Sequence, residues 1–152
     1  MPRSGGRRFF ASGLALALSL VLLAGCDREP AALDRLAVTG SGKVARLISA
    51  DTVMLEDGRS VHLAGVTAPR EGQLYGAEAK AALDKLVTGQ EVELLSGGAR
   101  RDAYGRTLAH LRRRKGRVWV QGALLDAGAA RVRTYADNRA LAAEMLEREA
   151  KA

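Results

Sequence analysis

The stretch Lys43–Val66, "KVARLISADTVMLEDGRSVHLAGV", decides the fold. Val44, Leu47, Val53, Leu55, Val61 and Leu63 stand at strand-like spacing, interrupted at Ser49-Ala50-Asp51 and again at Asp57-Gly58, a hairpin-turn dipeptide. A three-stranded meander is expected, with the folded part beginning near Gly42.

Beyond Tyr75 the apolar period changes. In "YGAEAKAALDKLVTG", Ala79, Ala82, Leu83, Leu86 and Val87 recur at helical spacing and Gly89 is placed to stop the helix, which predicts a helix from about Ala77 to Thr88. "QEVELLSGG" reads as a fourth strand, and "GRTLAHLRRRKGRVWV" as a hairpin turning at Lys115-Gly116. "VQGALLDAG" reads as a short helix ended by Gly128. A last helix is expected over Asn138–Lys151, with Leu141, Met145 and Leu146 turned inward. Trp119 is expected in the core or at a barrel end, His110 on a strand surface, and Tyr104 packed on the turn that Gly105 allows. The order implies an α+β fold: a five-stranded OB-type β-barrel with one inserted helix and two C-terminal helices, over residues 42–152.

The N-terminus reads as a targeting segment. Arg3, Arg7 and Arg8 precede the uncharged run "ASGLALALSLVLLAG", and "LLAGC" ends at Cys26, the only cysteine. Small residues directly before that thiol resemble a bacterial lipobox, so residues 1–25 are expected to be a lipoprotein signal peptide and Cys26 the lipidated residue. A membrane anchor or an ordinary cleaved signal with a chance cysteine is the alternative; the run is short for a bilayer span of about 20 residues. Arg7-Arg8 leaves general secretion and twin-arginine export both open. Residues 26–41, with Pro30 and mixed charge, read as a tether. Asp27 beside Cys26 resembles a signal for retention at the periplasmic face of the inner membrane.

A lone cysteine excludes an intrachain disulfide, so the core alone must hold the domain, which is expected to be a monomer. Without residues 1–25 the chain keeps 21 basic against 17 acidic residues, a net +4. Between Arg100 and Arg133, ten cations face only Asp102 and Asp126. That stretch suits a polyanion or an anionic membrane surface, or is simply an arginine-rich solvated face.

Three blocks, "ADTVML" (Ala50–Leu55), "LAGVTAP" to "AKAAL" (Leu63–Leu83), and "RRDAYGRTLAHL" (Arg100–Leu111) with the later "GALLDAGAARV", resemble the staphylococcal nuclease (thermonuclease) family over Lys43–Lys151. The resemblance implies hydrolysis of DNA or RNA phosphodiesters, with Ca²⁺ held by carboxylates, a water activated by a further carboxylate, and two arginines clamping the phosphate. It places the first metal carboxylate at Asp51 and the second phosphate arginine at Arg106. Elsewhere the sequence departs: Thr67 replaces the second metal carboxylate, Arg70 replaces the general-base glutamate, and His62 replaces the first phosphate arginine. Glu71, one residue beyond, is the candidate replacement base, and His62 a substitute phosphate contact. Arg70, Tyr104, Tyr135 and the hairpin residues Arg112, Arg113, Arg114 and Lys115 are candidate nucleic-acid contacts. Two functions remain open: a calcium-dependent nuclease with a degenerate site, and a pseudonuclease that binds nucleic acid, another polyanion or a protein. A third is structural, with the basic hairpin against anionic headgroups.

Overall fold

The structure is a computed structural model and describes residues 29–152. The leader over 1–25 and Cys26 lie outside the described residues. Among those described, no helix is long and apolar enough to cross a membrane.

The meander forms as β1 (Ala37–Ser49), β2 (Thr52–Leu55) and β3 (Ser60–Leu63). β1 is long because it serves two partners: Ala37–Lys43 pairs antiparallel with β5 (Glu91–Ser96), and Val44–Ser49 with β2. Bulges at Val38/Gly40 and Val44/Arg46 interrupt both ladders, and such insertions bend a strand enough to turn the corner of a barrel. β5 pairs with β6 (Thr107–Arg113), and β6 runs parallel to β3 through Val61↔Thr107, His62↔Leu108 and Leu63↔Ala109. That last ladder closes β1, β2, β3, β6 and β5 into a five-stranded OB-type barrel and leaves no open edge between first and last strands.

The inserted helix α1 (Gly76–Val87) buries Ala79, Leu83 and Val87 of the predicted stripe, with Ala82 and Leu86 half-buried at its margin. β7 (Val118–Trp119) completes the β6 hairpin, and α2 (Val120–Asp126) follows it at once, with Trp119 buried. Gln121 of α2 is fully buried and acts as a clasp: its Oε1 accepts from the Leu111 N–H (3.1 Å), and its Nε2 donates to the Ala109 (3.0 Å) and Ala64 (3.3 Å) carbonyls. A buried amide with these partners fixes α2 against the β3–β6 junction.

Four expectations are corrected. The folded part starts before Gly42: β1 begins at Ala37 and Leu33, in a short 3-10 turn (Leu33–Arg35), is fully buried, because the barrel's open end needs an apolar cover. The last helix, α3 (Ala142–Lys151), begins four residues after Asn138, which is instead bridged to Tyr135 and buried. Leu141 and Met145 are buried as expected, whereas Leu146 is exposed, one position off the inward stripe. His110 is buried rather than on a strand surface, because α2 and Trp119 cover that face of β6. The Trp119 indole N–H donates to His110 Nδ1 at 3.4 Å.

Two short strands, β4 (Val66–Thr67) and β8 (Arg131–Val132), pair antiparallel outside the barrel. They belong to the site.

Candidate nucleic-acid interface

The loop after β3 is held on three sides. Its Gly65 has φ +77 and Met145 of α3 lies where a Cβ would stand, so only glycine lets the helix close down here. Gly65 accepts the Arg133 N–H through its carbonyl (2.8 Å), and Glu149 of α3 accepts the Val132 N–H (3.1 Å). The β4–β8 ladder thus sets Thr67 and Arg133 beside each other's strands at the mouth of the barrel.

Asp51 ties the loop from the other side. Its Oδ1 accepts from the Ser49 (2.8 Å) and Thr52 (3.1 Å) hydroxyls and its Oδ2 from the Ala68 N–H (3.4 Å). His62 Nδ1 lies 3.0 Å from the Thr52 hydroxyl oxygen and 3.7 Å from Asp51 Oδ1. Because the Thr52 hydrogen goes to the carboxylate, the imidazole Nδ1 carries the proton in the Thr52 bond. Burial pushes the His62 pKa below its ordinary value, with Asp51 opposing the shift and Arg106 adding to it, so the ring is neutral at pH 7. His62 does not replace the charge of an arginine.

Asp51, His62, Thr67, Arg70, Glu71, Tyr104, Arg106 and Tyr135 all line one cleft of about 830 Å³. The structure therefore gathers every catalytic, metal and nucleic-acid candidate outside the hairpin. Arg106 is presented by the tight turn at Gly105 (φ +75) and held by Asp102, whose carboxylate accepts from the Arg106 Nε (2.6 Å) and from the Arg106 and Tyr104 N–H groups. Burial raises the Asp102 pKa, but these bonds outweigh it and keep the carboxyl below its ordinary value. Tyr104 is 86 % exposed rather than packed on the turn, and the Arg106 guanidinium stands over its ring at 5.5 Å. Arg133 stands likewise over the exposed ring of Tyr135, at 5.7 Å. Arg133, Lys80 and Arg101 also line the cleft; the sequence reading placed Arg101 and Arg133 only within the basic stretch and did not single out Lys80, because the β4–β8 pairing, the Arg101↔Thr107 bridge and the packing of α1 bring them to the mouth.

The donor set does not suit calcium, which takes 6–8 oxygen ligands with several carboxylates among them. Asp51 is one carboxylate, already engaged at both oxygens, and Thr67 adds a neutral hydroxyl. The Glu71 side chain is 85 % exposed and pairs with Lys80 at 3.4 Å. Among the described residues no group of three or more His, Cys, Asp or Glu is placed to hold a metal ion.

The hairpin lies elsewhere. Leu108 lines the cleft, and Arg112 is four residues further along β6, about 13 Å at strand rise, with Arg113, Arg114 and Lys115 beyond it. Arg112 is buried and ion-paired with Asp34 (2.7 Å), Glu93 (2.8 Å) and Glu29 (3.5 Å), which removes it as a contact for nucleic acid. Burial opposes its charge, and the bonds to Asp34 and Glu93 overcome that and hold its pKa above the ordinary value.

A closed five-stranded barrel with an arginine- and tyrosine-lined cleft at the β3–β4 loop defines a small OB-type α+β domain. The family model described as staphylococcal nuclease homologue matches residues 60–152, and the chain belongs to that family, whose enzymes are calcium-dependent nucleases. The match takes in His62, Thr67, Arg70, Glu71 and Arg106 and begins after Asp51. No curated protein matches the chain.

Proposed function

We propose that this chain is a nucleic-acid-binding member of the nuclease family whose cleft holds phosphodiesters without calcium and without cleaving them. The resemblance sets Arg70 where the family's general-base carboxylate falls, and the observation that carries the reading is that Glu71, the candidate replacement, is turned to solvent and paired with Lys80. A guanidinium stays protonated at neutral pH, so it attracts phosphate and takes no proton from water. Arg70, Arg106 and Arg133 supply forked donors for phosphate oxygens, and the exposed rings of Tyr104 and Tyr135 supply stacking faces for bases.

Asp51 then serves as the tie between the β1–β2 turn and the loop, through the three bonds it accepts. The leader ending at Cys26, with Asp27 next to it, supports an exported, lipid-anchored protein at the periplasmic face of the inner membrane. The ion pairs from Glu29 and Asp34 to Arg112 and Arg117 fasten the first described residues to the barrel end away from the cleft. A tether entering there leaves the cleft facing the solvent.

Fluorescence anisotropy of a labelled single-stranded oligonucleotide, measured on the full chain with chelator present, tests the reading. Salt-sensitive binding that is unchanged by added calcium is expected. Binding that requires calcium overturns it.

A further inference from the structure

The Arg106 turn has two sides. One faces the cleft; the other forms a second groove of about 240 Å³ lined by Arg59, Arg101, Tyr104, Gly105, Arg106 and their strand neighbours. Arg101, Tyr104 and Arg106 line both, so the turn is a ridge shared by the two depressions rather than a wall that separates unrelated ones. The lining of the second groove holds three arginines and no carboxylate, whereas the cleft sets its cations beside Asp51, Glu71, Asp102 and Asp137.

The three guanidiniums are oriented from behind. Asp57 takes Nε and Nη2 of Arg59 (2.8 and 2.6 Å), and Arg59 Nη2 also donates to the Ser41 carbonyl (2.7 Å). Arg101 Nη1 donates to the Gly105 carbonyl (2.7 Å), and Asp102 takes Nε of Arg106. Those bonds leave Arg59 Nη1, Arg101 Nη2 and both Nη atoms of Arg106 outside them. Tethering of this kind lowers the rotamer entropy lost when a ligand is gripped. On the crest, Tyr104 offers a ring that only an unpaired base can stack on.

We infer that the Arg59–Arg101–Arg106 groove is a second phosphate subsite, so that a single strand of nucleic acid crosses the Tyr104 ridge with one phosphate in the cleft and a further one in the groove. The assignment rests on the cleft reading above and extends it from one phosphate to a strand path. Double-stranded nucleic acid does not fit this path, because its bases are not free to meet Tyr104.

The test compares a thymidine dinucleotide with an octanucleotide on the full chain, by anisotropy with chelator across a salt series. The octanucleotide is expected to bind at least about tenfold more tightly. Arg59→Ala, at a residue that lines the groove and not the cleft, should lose that advantage and reduce the slope of log affinity against log salt by about 0.7, one phosphate, with dinucleotide affinity unchanged. Ser60→Glu, which leaves the Arg59–Asp57 pair intact and sets a carboxylate in the lining of the groove alone, should do the same, and thermal melting verifies that each variant is folded. Equal affinity for the two lengths, or an octanucleotide affinity indifferent to both variants, overturns the subsite while the cleft reading stands. Failure of both oligonucleotides to bind overturns both readings.

Discussion

The two ends of the barrel draw on the same residue and use it in opposite ways. At the hairpin end, Arg112 is buried among Asp34, Glu93 and Glu29, and Arg117 is paired with Asp34 and Glu29. At the cleft end, Arg70 and Arg133 are exposed, and the Arg106 guanidinium is held by one carboxylate at one nitrogen. Arginine density along the chain is therefore a poor guide to where a polyanion binds. What matters is whether the partner of each cation is already in the fold.

The sharpest break of this contrast is Arg112→Ala. Removing one partner of a buried ion-paired cluster strands the others, and a loss of about 3–5 kcal/mol in unfolding free energy is expected by urea titration. Oligonucleotide affinity of the folded protein should not move. A variant as stable as the parent would show that the hairpin arginines are surface charges after all.

The buried histidine of β6 sets the response to acid. Burial lowers the His110 pKa from its usual 6.5 to about 4, so the folded state refuses a proton that the unfolded state accepts. The penalty is absent above pH 6.5, grows as pH falls from 6.5 to 4 and levels off below, reaching about 3 kcal/mol. His62, lowered by burial, acts in the same direction. Thermal melts between pH 7 and 4 should show this fall, and His110→Gln should flatten the profile.

Arg106→Ala has a smaller effect of the reverse kind. It should weaken single-strand binding about tenfold, the loss of one charge-assisted phosphate contact, and leave stability within about 1 kcal/mol. Anisotropy and urea titration on one sample separate the two. Smallest of all, Lys115→Ala should alter neither affinity nor stability by more than about 0.5 kcal/mol, since the residue is exposed and away from the cleft. A loss of affinity there as large as that of Arg106→Ala would move the binding face to the hairpin.

The barrel was legible because its signals are local: alternation over Lys43–Val66, a helical stripe over α1 and glycine at the turns. That the loop residues, the Arg106 turn and Asp51 share one cleft was legible through the loop, the turn and the family resemblance. The rest was decided by pairings far apart in sequence. Arg133 reaches the cleft only because Val132 pairs with Val66, and Arg112 is withdrawn only because Asp34, 78 residues earlier, meets it. Leu33 and Leu36 were hidden in a segment whose proline and mixed charge read as a tether, and only the open barrel end gives them a place to pack. His110 alternates correctly for an outward position on β6; no pattern within the strand announces that α2 will cover it.

Cleavage of single-stranded DNA and RNA by the full chain, in excess calcium and in chelator, beside Asp51→Ala, is the decisive assay for the charge exchange at the loop. Intact substrate is expected under both conditions, since the loop offers calcium one carboxylate and water no base. Calcium-dependent cleavage abolished by Asp51→Ala would contradict that reading and return Glu71 to the catalytic site.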